Sequence, residues 1–562
     1  MPLGLVSLPG DLLFEVSQYL DLKADVFSLA LSARRLFHGL LPTLYDDVCL
    51  DTFEQCEATL SMLHQHPGVA RHIQKLVIRF ASTSNKYTSD LRSFQVSNLV
   101  RALAPELDAL HTFIWDADEM PQCDDMWFAL RMSCSRLHTV GTPYGERLPE
   151  SHSCLFQFKN LRGFRLTLKS GFYENHSDTL QVLPSDSRLW EMLICRCPNL
   201  EELHVSGAPF LPISVVHPIC HARWPHLRSL SLGDIVLDWQ SRGAADKPPF
   251  IAFLEAHPHL ELLRTSCAAL SPAFLSSLDH TSLPNLTRFG GSLEHLQGLA
   301  RIRPQITSVA IDEPLIIRDT APLLAAGILQ GLQFLCELRV SFVLHSAYEG
   351  SSLIRSIINA CPRLTKLELI CTRHSSFTVG TIAKIIRPLP RLRHLHLTLV
   401  RSRHEEPLPA CAALIARLNP QLRTFCITFI SPTLPLPIPL STEICVNGGE
   451  PSHPYEESGS YVLGTDEHGL PLSITCTERS SRPFSFSLPT LRIPMLLSSI
   501  VSGGTPRLHN RNKKKHKYTI DLCPRAKKGL GVIFERSAAG EEMRVLLLLL
   551  SLGGVALWLF FG

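Results

Sequence analysis

The sequence predicts an α/β protein: three short helices, then an irregular solenoid of parallel strands and helices, then a tail without regular structure. Three observations predict it. Short amphipathic stretches crowd the first fifty residues, an apolar phrase of fixed spacing recurs between about residues 70 and 430, and proline, glycine and serine become frequent after Ile430. With 562 residues, 45% hydrophobic and only 7% aromatic, the chain is long enough for an extended array with a core of Leu, Ile and Val. The expected divisions are a helical motif over 1–50, the repeat array over 51–430, a largely disordered stretch over 431–543 and an apolar segment over 544–562.

The first helix opens at Leu8-Pro9, where a proline suits the first turn because its missing N–H would be unpaired anyway. Leu12, Leu13, Val16, Tyr19 and Leu20 then share one face. A second helix is expected over Lys23–Leu31 with Val26, Leu29 and Ala30 inward. A third, from about Ala33 to Leu41, presents Leu36, Phe37, Leu40 and Leu41. Helices this short are marginal alone and must pack on each other or on a partner.

Leu8, Pro9, Leu12, Leu13, Tyr19 and Leu20, with the later Ser28-Leu29-Ala30-Leu31-Ser32-Ala33-Arg34-Arg35-Leu36-Phe37, resemble the F-box, the motif that docks on the Skp-type adaptor of cullin-RING ubiquitin ligases. Asp11 stands where the motif commonly has Glu, Ala33 where it has Cys, and one extra residue lies between Asp21 and Leu29. The segment after it is similar to that of many fungal, basidiomycete-type F-box proteins. The resemblance covers roughly residues 1–80. It implies adaptor contact through Leu8, Pro9, Leu12, Leu13, Val16, Leu20, Leu29 and Leu36.

The recurring phrase is apolar, two spacers, apolar, one spacer, apolar. Clear copies are Ile73-Leu76-Ile78, Leu161-Phe164-Leu166, Leu200-Leu203-Val205 and Leu227-Leu230-Leu232, then Ile306-Val309-Ile311, Leu335-Leu338-Val340, Leu364-Leu367-Leu369, Leu392-Leu395-Leu397 and Leu422-Phe425-Ile427. Weaker copies start at Leu107, Leu137, Leu260 and Leu286. The final alternation suits a short strand with one buried face. Stretches such as 352–358 and 379–386 read as intervening helices, and a proline often stands two places before the phrase. A strand and a helix every 25–30 residues imply parallel strands with right-handed crossovers, strands concave and helices convex. The phrase resembles irregular leucine-rich repeats, although the Asn or Cys expected after the last Leu is mostly absent.

Such an array binds through the solvent-facing strand positions. In the clearest copies these include Lys366, Glu368, Arg393, His394 and His396, which could read an acidic or phosphorylated segment or simply form a solvated face.

Net charge is +3, but residues 503–536 carry +8, leaving the rest mildly acidic and without the broad basic face that nucleic-acid binding needs. The run Lys513-Lys514-Lys515-His516-Lys517 reads equally as an import signal or a solvated charge run. The 17 cysteines are scattered and odd in number, which fits free thiols in a reducing compartment. Cys195 and Cys197 lack partners at zinc-ligand spacing, and no cofactor is implied. No phosphate loop, nucleophile elbow or metalloprotease motif occurs. His217-Pro218-Ile219-Cys220-His221 and Asp124-Asp125 read as structural and solvated residues respectively. The chain is not expected to be an enzyme.

The last 18 residues, Val545–Gly562, carry no charge and just reach the length of a membrane span. They imply either a tail anchor on the cytosolic face of a membrane or a helix packing back on the array. Otherwise the expected location is cytoplasmic or nuclear. Two functions remain open: a ligase substrate-recognition subunit contacting adaptor, cullin and a target protein, or a repeat scaffold whose first helices only cap the array.

Overall fold

The structure, a computed structural model, describes residues 8–20, 23–80, 86–169, 171–172, 184–206, 218–233, 247–266, 272–299, 305–316, 321–343, 349–371, 378–401, 405–430, 455–465, 471–480 and 519–521. Two compact units divide the chain, one holding the described residues up to Phe342 with Asn359–Cys361 and the other those of Val343–Ile358 and from Pro362 onward.

The first unit begins with α1 (Gly10–Gln18), α2 (Lys23–Leu31) and α3 (Arg34–Leu44). Leu13, Val26, Ala30, Leu36 and Leu40 form their common core, with Leu8, Leu20, Leu29, Ala33, Phe37 and Leu44 packed around it. The expected amphipathic faces therefore meet one another. Lys23 Nζ ties α2 to the start of the array, 2.7 Å from Asp46 Oδ1 and 3.1 Å from the Asp47 carbonyl.

The strands are β1 (Asp47–Leu50), β2 (Lys75–Ile78), β3 (Thr112–Trp115), β4 (Thr139–Tyr144), β5 (Gly163–Leu168) and β6 (Glu202–Ser206). They continue with β7 (Ser229–Leu232), β8 (Leu262–Arg264), β9 (Arg288–Gly291), β10 (Ser308–Ile316) and β11 (Glu337–Val343). From β1 to β10 each pairs with the next, always in parallel. On one side helices Phe53–Gln65, Lys86–Leu103 and Asp125–Ser133 lie side by side. This is the predicted α/β repeat.

Its regularity comes from backbone geometry at each strand's start. The first apolar residue of the phrase donates its N–H to the carbonyl three residues earlier. Examples are Leu137 to Cys134, Leu200 to Cys197, Leu227 to Trp224, Leu260 to His257 and Leu286 to Leu283. The proline two places before the phrase (Pro198, Pro225, Pro258, Pro284) is thus the second residue of a β-turn, where its fixed φ fits. Next, one carbonyl of the preceding rung accepts two consecutive N–H groups. The Glu201 carbonyl takes those of Arg228 and Ser229, and the Arg228 carbonyl takes those of Glu261 and Leu262. The three phrase residues that follow are buried throughout, as with Leu227, Leu230 and Leu232. Burying three such side chains contributes roughly 5–9 kcal/mol per rung before chain entropy.

Three expectations are corrected here. The copy placed at Leu107 is Leu110-Phe113-Trp115, since Leu110 makes the turn bond to Leu107 and all three side chains are buried. Leu107 ends the preceding turn instead. The array begins at Asp47, where β1 pairs with β2, so the helical motif is shorter than 1–50. Asp124 is not a loosely solvated acid: its carboxylate accepts from the Ser153 hydroxyl and, at 2.9 Å, from the Cys154 N–H, pinning a second loop.

In the second unit β12 (Lys366–Cys371), β13 (His394–Val400) and β14 (Thr424–Ile430) pair in parallel, backed by adjacent helices Val379–Ile385 and Leu408–Leu418. Beyond β14 the direction reverses. β15 (Tyr455–Thr465), β16 (Pro471–Ser480) and β17 (Thr519–Asp521) add in antiparallel succession. These strands lie within 431–543, so the expectation of a disordered stretch does not hold for them. Proline and glycine frequency hid an alternation in which Tyr461, Leu463, Ile474 and Cys476 are buried.

The basic run 513–517 and the apolar segment 545–562 lie outside the described residues. Among the described residues no helix is long and apolar enough to cross a membrane.

Candidate functional site

The single spacer between the second and third apolar residues of each phrase points away from the helices. Parallel pairing puts these spacers in one row. In the first unit the row runs Val77, Ile114, Gly141, Arg165, His204, Ser231, Arg264, Gly290 and Ala310 on β2 to β10. Two residues further along their strands lie Arg79 and Asp116, 3.0 Å apart, and Asp116 also takes Lys169 Nζ at 3.2 Å.

Glycines shape this row. A Cβ on Gly290 would stand 2.7 Å from Arg264 Cγ, so the Arg264 stem lies across bare backbone and reaches Asp312 Oδ2 at 2.7 Å. His204 is half-buried on β6, beside Arg165 on β5 and two strands from Arg264 on β8. Burial first, then Arg165 and Arg264, push its imidazole down to about 4, with Asp116 opposing. The centre of the face is therefore cationic from arginine, with a neutral imidazole available to donate or accept a hydrogen bond at neutral pH.

The second unit carries its own row: Glu368, His396, Cys426 and Ser460 on β12 to β15. His396 Nδ1 lies 3.5 Å from Glu368 Oε1, and Ser460 Oγ 3.7 Å from Cys426 Sγ. Among the expected target contacts, Lys366 and His394 are exposed on this face, with His394 Nδ1 2.7 Å from Thr424 Oγ1. Arg393 does not belong with them. Its Nη1 donates to the carbonyls of Pro390, Leu392 and Gln421 at 3.1, 3.2 and 3.0 Å, so it braces two turns.

The residues expected to contact an adaptor separate into two sets. Leu13 and Leu36 are interior to the helical bundle and keep its shape. Leu8, Val16, Leu20 and Leu29 are half-buried, while Pro9 and Leu12 are exposed. Phe14, Tyr19 and Leu31 also stand on the surface, Tyr19 at 79% exposure. Sequence periodicity had placed Tyr19 on the inward face and had given Phe14 no role.

Of the cluster 217–221, Cys220 is buried and His221 exposed, and His217 lies outside the described residues. No group of three metal-ligating side chains comes together among the described residues. Cys426 and the row Arg165–His204–Arg264 were missed by sequence reading. The signal was present as the one-residue spacer of each phrase.

No protein-family model matches this chain, and no curated protein is significantly similar. Among solved structures, a Bacteroides fragilis protein is 14% identical, with 52% of this chain and 72% of that one covered and a TM-score of 0.28. The leucine-rich repeat-containing protein LegL7 from Legionella pneumophila is 12% identical, covering 59% and 85%, with a TM-score of 0.27. Likenesses this low establish neither family nor function.

Proposed function

We infer that this chain is a protein-recognition subunit of a cullin-RING ubiquitin ligase. α1–α3 dock on a Skp-type adaptor, and the open strand face holds a target protein. One observation carries the reading: a bundle with a complete core of its own leaves Leu12, Phe14, Tyr19 and Leu31 on its surface. Large apolar side chains left on the surface of two short helices are what a partner covers. A helical cap would have turned them onto the first rung. Recognition then needs no chemistry from this chain, because holding a target beside a charged ubiquitin carrier supplies proximity.

The test is co-purification with a Skp-type adaptor, comparing the natural chain with Leu12→Asp/Leu31→Asp. Neither residue is in the bundle core, so the fold should survive. Stoichiometric capture that the double variant abolishes is the expected result. A folded natural chain that captures no adaptor overturns the ligase reading and leaves the repeat scaffold.

A further inference from the structure

Parallel register places Glu368, His396 and Cys426 side by side on β12, β13 and β14, and the antiparallel β15 adds Ser460. Neighbouring strands lie about 4.8 Å apart, so side chains in one row touch through their polar ends. His396 Nδ1 faces the Glu368 carboxylate at 3.5 Å. A proton held on that nitrogen would leave Nε2 as the acceptor, and parallel register sets His396 directly beside Cys426 on the adjacent strand. The hydroxyls of Ser460 and Thr428 stand 3.7 and 3.8 Å from Sγ on the remaining sides. Towards the start of the strands the neighbouring row is Lys366, His394, Thr424 and Val462. Beyond the thiol, Thr428 and Ser458 bond each other at 3.0 Å, and Glu457 pairs with Arg401 at 3.3 Å.

We propose that Cys426 is a nucleophilic thiol, activated by His396 with Glu368 behind it, that adds covalently to α,β-unsaturated carbonyl compounds. The arrangement has the three parts that activate a cysteine: a thiol, a base beside it on the paired strand and a carboxylate 3.5 Å from that base. Among the described residues no other cysteine stands in such a row with a histidine and a carboxylate. Burial pushes Cys56, Cys134 and Cys361 up to about 12. Burial pushes Cys426 up too, but the His396 imidazole, Ser460 and Thr428 outweigh it and its thiol sits below the ordinary range.

The addition balances without a co-reactant. His396 takes the thiol proton, and the sulfur lone pair forms an S–C bond at the β-carbon. The C=C pair shifts through the α-carbon onto the carbonyl oxygen as an enolate. The imidazolium proton then returns to the α-carbon, and nothing leaves. This site is separate from the adaptor reading and stands or falls without it.

The test treats the full chain with limiting N-ethylmaleimide from pH 6 to 9 and reads each cysteine by peptide mass spectrometry. Exposed Cys195 is the internal reference, and buried Cys361 and Cys371 report opening. At pH 6 Cys426 should react faster than Cys195, because more of it is thiolate. His396→Asn should bring Cys426 to or below the Cys195 rate, and Glu368→Gln should fall between. Slower reaction of Cys426 than Cys195 at pH 6, or an unchanged ratio in His396→Asn, overturns the proposal. If His396→Asn exposes Cys361, the natural chain decides. A Cys426 pH midpoint below that of Cys195 supports the proposal, and one equal or higher overturns it.

Discussion

His204 gives the array a measurable weakness in acid. Its imidazole is lowered from 6.5 to about 4, by burial first and then by Arg165 and Arg264. In the unfolded chain the group protonates near pH 6.5, whereas in the folded chain it resists until about pH 4. Stability is therefore complete above pH 6.5 and falls as the pH drops towards 4, because the unfolded state binds the proton first. Linkage with those two values makes the loss about 2 kcal/mol between pH 7.5 and pH 5, and about 3 kcal/mol by pH 4. Urea unfolding at pH 7.5 and 5.0, on the natural chain and His204→Gln, isolates the group. The variant should lose about 2 kcal/mol less between the two conditions. Because burial is the larger cause, most of the difference should survive 0.5 M salt, whereas repulsion from the two arginines would be screened. Identical pH dependence in both proteins would refute the assignment, and a difference erased by salt would make the arginines its main source.

Other substitutions probe the rungs and their fastenings. Leu230→Ala, which hollows a buried strand position, should cost about 2–5 kcal/mol in urea unfolding. Asn419 is fully buried and its amide donates to the carbonyls of Ala383 at 2.9 Å and Ile415 at 3.3 Å, so Asn419→Ala should cost about 1–3 kcal/mol. Tyr461 is buried and stacks on Phe425 with ring centres 5.0 Å apart. Tyr461→Ala should release β15 and β16, seen as faster amide exchange over 455–480 while β12 and β13 stay protected. Gly290→Val should force Arg264 off its course to Asp312, which as a part-exposed pair costs under about 1 kcal/mol of ion pairing. A larger loss there would mean the backbone itself cannot accept the side chain.

The apolar phrase made the core legible because its spacing is the strand's own alternation. All nine clear copies are buried at all three positions. The second helix matches its expected bounds, since Asp21 and Ser32 punctuate a short apolar period. What failed was register where a copy is flanked by extra leucines, as at Leu107, Leu110 and Phe113, because several frames fit the pattern. β15 and β16 were hidden because their burial depends on β14 offering an open edge, which is a tertiary fact. Arg393 was misplaced for a related reason. It directly precedes β13, where the chain has just left the turn and its guanidinium reaches back to the turn carbonyls. Leu13 and Leu36 were expected at an adaptor contact and lie in the bundle core, because pattern alone does not say whether an apolar stripe meets its neighbour or a partner.

The division of labour within each rung decides where specificity lies. The turn and the three apolar positions serve the same mechanical end in every copy, so they carry little information about a ligand. The one-residue spacer is under no such demand, and across the first unit it changes from Val77 and Ile114 to Arg165, His204 and Arg264. Gly141 and Gly290 flank that cationic stretch: a Cβ at Gly290 would crowd the Arg264 stem, and one at Gly141 would crowd Ile114 first and then the Cβ of Arg165. The Arg264 stem thus lies flat over Gly290, and its charge runs along the face to Asp312 instead of standing off it. An occupant crossing these strands meets an apolar end and then an arginine pair with a neutral imidazole between. A segment pairing apolar residues with a carboxylate or phosphate satisfies both ends, while a uniformly basic one must set its cations against Arg165 and Arg264. Reversing that charge with Arg165→Glu should therefore weaken binding of acidic segments and leave the proposed adaptor capture by α1–α3 untouched.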